Sequence, residues 1–268
     1  MIDFNQRNLK IINIIKMMIL GIIQARMSSS RLPGKVLLPI LEKPVIWHIY
    51  ERMKFSKKID MICVSTSTNP KDDKIEEFCK FNNIEIVRGS EDNLVSRHLD
   101  AAKKFNADAI IRITADCPFV DPEIIDELIE LYENNLDAKY ISNIIKRTYP
   151  IGLDIEIIPT KVLEEFLPKS ENPIYYEYFI GLHMINNQDK FKCVGLELPE
   201  QKILRWTIDY KEDYEFVKKI YLLLYQKNKI FVMKDIIEIL KKYPEIGKIN
   251  SMHVKEFSYL KYQREVNG

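Results

Sequence analysis

Residues 22–37 read IIQARMSSSRLPGKVL. An apolar run of strand length ends at Gln24 and gives way to three serines, two arginines, a Pro-Gly pair and a lysine, in a chain with only eight glycines. Such a segment has little to bury and many donors to aim, which is the make-up of an anion-binding loop leaving the end of a strand. It is not a P-loop of the G-x-x-x-x-G-K-[ST] kind, because Ser29 stands at the first glycine and Val36 at the hydroxyl ligand. Charge would come instead from Arg26 and Lys35, hydroxyl and backbone donors from Ser28 to Ser30, and room for close backbone approach from Gly34.

Working outward, the pattern around this loop predicts alternating strands and helices. A buried strand is expected over 18–24, a helix in PVIWHIYERMKF (44–55), a strand in MICVSTS (61–67), and a helix in DDKIEEFCKF (72–81) with Ile75, Phe78 and Cys79 on one face. IEIVRG (84–89) is a short strand, and DNLVSRHLDAAKKF (92–105) a helix capped by Asp92 or Ser90 that buries Leu94, His98, Ala102 and Phe105. DAIIRITAD (108–116) is a further strand, followed by a helix that starts with Asp121 as N-cap and Pro122 in its first turn. Units of this size predict an α/β fold with a mostly parallel central sheet covered by helices on both faces.

The second half is less regular. Short strands are expected in YISNI (140–144), LDIEIIP (153–159), KCVGLEL (192–198) and ILRWTID (203–209), with helices at 160–168, 173–187, 211–226 and 232–243. No internal repeat or glycine-rich hinge divides the chain. Residues 18–250 therefore read as one domain, with 1–17 as an N-terminal extension and 251–268 as a C-terminal tail.

Composition narrows the function. With Lys+Arg 40 against Asp+Glu 39, no global field attracts nucleic acid, and no basic stripe interleaved with aromatics appears. No nucleic-acid partner is expected, and any anion site is local. Cys63, Cys79, Cys117 and Cys193 form no C-x-x-C pair and lie in apolar segments, which predicts reduced, buried thiols and a cytoplasmic protein. Asn13 and Lys16 interrupt the apolar run near the N-terminus, which is too short to span a bilayer, so no membrane span is expected.

Two further strand ends carry carboxylates. Asp116 closes IRITAD where the chain leaves the sheet, the position from which an oxygen ligand reaches Mg²⁺ and a substrate phosphate. Asp209 stands at the junction of ILRWTID with the next helix and is a candidate second metal ligand. Asp154 and Glu156, two apart and so on one side of a strand, would bind a polyhydroxylated substrate, help hold metal, or form a solvated acidic face.

Taken together, IIQARMSSSRLPGK, DMICVSTSTNPKDDKI, IVRGSEDNLVSRH, IIRITADCPFVDP, YPIGLDIEI and ILRWTIDYKEDYEF resemble the cytidylyltransferase family that includes spore coat polysaccharide biosynthesis protein F. That family is related to the synthetases of CMP-activated ulosonic acids such as acylneuraminate and KDO. The resemblance keeps the family's order and implies a glycosyltransferase-A-like, Rossmann-like nucleotidyltransferase fold that uses CTP and Mg²⁺ and releases pyrophosphate. It implies that Arg26 and Lys35 contact the triphosphate, that Ala25 and nearby backbone contact the nucleoside, and that Asp116, with Asp209, holds the metal. It places Ser90, Asn93 and Arg97 near the nucleotide. Because the related synthetases dimerise, it also implies a homodimer.

Where many members carry Arg-Glu-His, this chain has YYEYF, with Glu177 between Tyr176 and Tyr178. The resemblance therefore names no acceptor. Two competing readings use the same architecture: a nucleotide-sugar-dependent glycosyltransferase, for which Asp154 and Glu156 would have to replace a D-x-D pair, and a non-catalytic nucleotide-binding protein. Retention of charge at three separated loops argues against the second.

Overall fold

The computed structural model describes residues 16–169, 179–202, 204–226 and 230–256. The first strand, β1 (Ile19–Gln24), forms where expected, with Leu20, Ile22 and Ile23 wholly buried. Full burial of one such side chain is worth about 1.5–3 kcal/mol, which suits this run to the centre of a sheet, hydrogen-bonded to a strand on either side. After the serine-rich loop a small hairpin, β2 (Pro39–Ile40) and β3 (Lys43–Pro44), leads into α1 (Val45–Met53). Then come β4 (Met61–Ser67), α2 (Asp73–Phe81), β5 (Glu85–Gly89), α3 (Leu94–Lys104), β6 (Ala109–Thr114) and α4 (Pro122–Glu133). The cap of α3 is neither Asp92 nor Ser90 but Asn93, whose side chain accepts from the Ser96 N–H at 2.9 Å. Ser90 Oγ instead accepts from the Asn93 N–H. Asp121 caps α4 as expected.

The remaining elements are β7 (Tyr140–Ser142), β8 (Glu156–Pro159), α5 (Thr160–Phe166), α6 (Phe179–Ile185), β9 (Cys193–Gly195), α7 (Lys211–Leu224), α8 (Met233–Lys242) and α9 (Pro244–Gly247). The helix expected over 173–187 is described only from 179 onward. One sheet has the order β5-β4-β1-β6-β8-β7-β9. Pairings β5–β4, β4–β1, β1–β6 and β7–β9 are parallel, and only β8 runs against its neighbours. Buried side chains form one layer on each face. Ile19, Ile23, Ile111 and Ile113 pack under α1, α2, α4 and α7, while Leu20, Ile22 and Ile110 pack under α3, α5 and α6. The expected mostly parallel sheet with helices on both faces is present.

The chain leaves β1 through α1 to β4 on one side and returns through α3 to β6 on the other. The crevice at the carboxyl ends of β1 and β6 is thus the point where strand order reverses, which is where open α/β sheets bind ligands. One strand expectation fails. Residues 204–209 pair with the rest of the molecule through a single isolated bridge, Ile151 with Arg205, and join no sheet. The reason is local: the segment crosses the loop around Gly152, with Ile151 N–H donating to Leu204 O and Trp206 N–H to Ile151 O. Gly152 has φ 98°, and a Cβ there would lie 2.5 Å from Thr207 N, so only glycine admits this crossing.

All four cysteines are free, three of them buried. Among the described residues no helix is long and apolar enough to cross a membrane.

Candidate active site

The serine-rich loop closes on itself. Gly34 N–H and Ser29 N–H both donate to Met27 O at 3.0 Å, and Gly34, at φ 72°, turns the chain into a short 3-10 turn, Lys35–Leu37. Its entry is fixed from β4. The buried Asp72 accepts from Met27 N–H at 2.7 Å, from Ser67 Oγ at 2.5 Å and from Ser67 N–H at 3.3 Å. Ala25 N–H continues the ladder by donating to Ser65 O. The run is thereby held in one shape by donors to a buried carboxylate, with Met27 and Leu32 packed against the core beneath it.

Lys35 does not face water. Its side chain is only 11% exposed, and its Nζ donates to Asp116 Oδ2 at 2.7 Å, to Ile208 O at 2.8 Å and to Asp209 Oδ1 at 2.8 Å. The crossing segment is what brings the two aspartates together, because Ile208 N–H and Thr207 Oγ1 donate to Asp116 O at 2.8 and 3.2 Å. Arg31 Nη2 reaches Asp209 Oδ1 at 2.9 Å and its guanidinium lies 5.2 Å over the Tyr210 ring. From the other side, Arg205 Nη2 reaches Asp209 Oδ2 at 3.1 Å. Thr114 Oγ1 donates to Asp116 Oδ1 at 2.6 Å.

These contacts set the charge states. Burial disfavours the Lys35 ammonium, yet Asp116 and Asp209 outweigh it and hold Lys35 above the ordinary lysine value. Burial likewise disfavours the Asp209 carboxylate, but Lys35 and Arg31 prevail and hold it well below the usual carboxylate range. Cys117, next to Asp116, is no nucleophile: burial, and then the Asp116 charge, keep its thiol well above the ordinary value.

Behind the aspartates lies a second buried pair. Arg205, with its side chain 1% exposed, makes two bonds of 2.9 Å to Asp213, and Asp213 also accepts from the N–H groups of Asp209 and Tyr210 and from Asn250 Nδ2. Asp213 so caps α7 and pins the backbone of Asp209 in one stroke.

The cleft in front measures about 320 Å³ and is lined by Gln24, Ala25, Arg26, Ser28 to Arg31, Lys35, Val36, Arg112, Thr114 to Asp116 and Asp209. The expected Ala25, Arg26, Ser28, Ser30, Lys35, Asp116 and Asp209 therefore meet in one place. A larger cavity, about 950 Å³ and lined by aromatics such as Trp47, Tyr221 and Phe231, shares none of these residues.

Other expected residues stand elsewhere. Arg97 is 1% exposed, donates through Nη1 to Ser90 O, is held down to about 10 chiefly by burial, and does not line the cleft. Ser90 and Asn93 shape the turn into α3 and do not line the cleft either. Asp154 and Glu156 do not share a strand face, because β8 begins only at Glu156. Asp154 makes two 2.8 Å bonds to Arg147, whereas Glu156 is buried, paired with Arg112 and accepting from Tyr140 Oη at 2.7 Å. The separation removes the pair that would have stood for a D-x-D motif. Glu177 lies outside the described residues. Sequence reading passed over Arg31, Asp72, Arg205 and Asp213; of these only Arg31, the second cation of the opening loop, carried a local signal.

Among the described residues no three acidic, histidine or cysteine side chains gather as a metal cluster. The residues present do fit a hard divalent cation, since Asp116 Oδ2, Asp209 Oδ1 and Ile208 O already converge on one positive charge, the Lys35 ammonium.

The Cytidylyltransferase family model matches residues 20–239. The spore coat polysaccharide biosynthesis protein SpsF of Bacillus subtilis is 33% identical over 211 residues, covering 76% of this chain and 86% of its own. The structure of a cytidylyltransferase from Leptospira borgpetersenii superposes with a TM-score of 0.81 at 37% identity, over 86% of this chain and 97% of that one. A CMP:2-keto-3-deoxy-manno-octonic acid synthetase solved with CTP has the same fold, with a TM-score of 0.60 at 19% identity over 77% of this chain and 99% of that one. By the family match and these likenesses, the chain belongs to the cytidylyltransferase family.

Proposed function

We propose that this enzyme transfers CMP from CTP to a sugar or related acceptor, releasing pyrophosphate, with Mg²⁺ as its cofactor and surface polysaccharide synthesis as its setting. The observation that carries the reading is the meeting of Lys35 with both Asp116 and Asp209 within 2.8 Å, at the mouth of a donor-rich loop. The SpsF relative, named for spore coat polysaccharide biosynthesis, supports the setting. Residues 18–250 form the nucleotidyltransferase domain in this reading.

Phosphoryl-type transfers need positioning and charge neutralisation more than covalent help from the protein. The N–H groups of Ser28 and Ser30, the hydroxyls of Ser28 to Ser30 and the cations Arg26, Arg31 and Lys35 would bind the triphosphate. Ala25 and the end of β1 would seat the nucleoside. Two unit charges at about 4 Å interact by about 4 kcal/mol at an effective dielectric near 20, so one lysine does not balance a triphosphate. Asp116 and Asp209 would hold Mg²⁺, which when bound neutralises phosphate charge and lowers the pKa of an oxygen it ligates. The acceptor oxygen attacks the α-phosphorus in line with the departing pyrophosphate, which the loop cations orient.

The test is pyrophosphate release from CTP, UTP, ATP and GTP, each with and without Mg²⁺, across a panel of sugar and sugar-acid acceptors. CTP-selective, Mg²⁺-dependent release is expected, and Asp116→Asn should lower kcat by at least about a hundredfold with its circular dichroism unchanged. Release of a nucleoside diphosphate from a nucleotide sugar, or near wild-type turnover in the variant, would overturn the reading.

A further inference from the structure

The geometry points to Lys35 as a placeholder for the divalent cation: lysine and metal compete for the same carboxylate oxygens, and a triphosphate that draws Lys35 into the cleft opens the pair to metal. This rests on the proposed function and adds an order of events to it.

An ammonium has three N–H groups, and here all three are used, on Asp116, Ile208 and Asp209. Lys35 in this arrangement has no donor left for a phosphate, so holding the carboxylates and holding the nucleotide exclude one another. The charges around the point also balance. Lys35, Arg31 and Arg205 stand against Asp116, Asp209 and Asp213. A divalent cation entering this set meets three cations and no excess of negative charge.

A triphosphate reverses the situation, because it brings several negative charges to the side of the cleft lined by Ser28 to Ser30. Arg31 is the cation best placed to move first, since its side chain is 47% exposed and its ion pair is with Asp209. Lys35 can follow by rotating its own four-carbon stem, with its Cα fixed in the turn after Gly34. Arg205 stays behind, locked to Asp213. Nucleotide and metal then raise each other's affinity, as linkage requires.

The experiment titrates Mn²⁺ into the full chain without nucleotide and counts free Mn²⁺ by electron paramagnetic resonance. Wild type should bind weakly. Lys35→Met, which keeps the length of the stem and removes its charge, should bind one Mn²⁺ at least about tenfold more tightly, within the usual range of such couplings. Adding Asp116→Asn to Lys35→Met should abolish that gain. Arg31→Ala, at a half-exposed position, should tighten Mn²⁺ by a smaller factor and serves if Lys35→Met does not fold. Equal Mn²⁺ affinity in wild type and Lys35→Met overturns the inference, as does an unchanged affinity in Arg31→Ala where Lys35→Met is unfolded. A thermal shift with CTP and Mg²⁺ separates the two levels. Its absence counts against the proposed function, whereas its presence without a Mn²⁺ gain in Lys35→Met removes the placeholder role alone.

Discussion

At the scale of single residues, Asp209 is the most informative position, because three cations address one carboxylate: Lys35, Arg31 and Arg205. Its folded pKa lies below the unfolded value, so the stability it contributes is fully present above the ordinary carboxylate pKa of about 3.9 and is lost as pH falls toward the folded value. Urea midpoints measured from pH 7 down to pH 2 should therefore fall less steeply below about pH 4 in Asp209→Asn than in wild type, and parallel curves would contradict this. Lys35 has the opposite sign. Its raised pKa stabilises below the ordinary lysine value of about 10.4 and ceases to do so as pH rises through the folded one. Arg26, Lys35, Asp116 and Asp209 could be picked from the sequence as candidates, the cations from a donor-rich loop with little to bury and the aspartates from the places where apolar runs give way to the next turn or helix. Arg97 could not be judged this way, since a cation in a helix reads the same whether it faces a ligand or, as here, is 1% exposed.

At the scale of elements, the loop after β1 was legible as a donor-rich turn, but its shape depends on Asp72, 45 residues from the Met27 N–H that it accepts. The expectation of a strand over 203–209 fails in the described residues 204–209 for a related reason. Its β-branched and apolar residues have strand propensity, and propensity says nothing of whether a sheet edge is available. What it has instead is the Gly152 crossing. Gly152→Ala places a methyl carbon 2.5 Å from Thr207 N at a φ that L residues resist. That substitution should destabilise the fold by at least about 2 kcal/mol in urea unfolding and weaken turnover in the fraction that folds. A variant as stable as wild type would show that the crossing relaxes freely.

At the scale of the whole molecule, the carboxyl-edge site is held from behind by the last third of the chain. Asn250 donates to both Arg205 O and Asp213 Oδ1, so the region after α9 is tied to the loop that carries Asp209. Removing one partner of a buried ion pair leaves an uncompensated charge and costs about 3–5 kcal/mol. Asp213→Ala should lower Tm by roughly 10 °C, at about 2–4 °C per kcal/mol for a chain of this size. An unchanged Tm would mean that Arg205 finds other acceptors.

The alternation of apolar runs with amphipathic helices was enough to establish a parallel sheet covered on both faces, because burial periodicity is a local property written residue by residue. The donor-rich loop and the carboxylates at strand ends were local in the same sense. The convergence of Lys35, Asp116 and Asp209 was not, since the partners lie 81 and 174 positions apart and meet only where strand order reverses and the Gly152 crossing brings the last of them alongside. The same holds for the fates of Asp154 and Glu156, two residues apart yet committed to different partners, Arg147 and Arg112. Which charge faces a ligand and which is neutralised inside is settled by the neighbours that packing supplies, and those neighbours are distant in the chain.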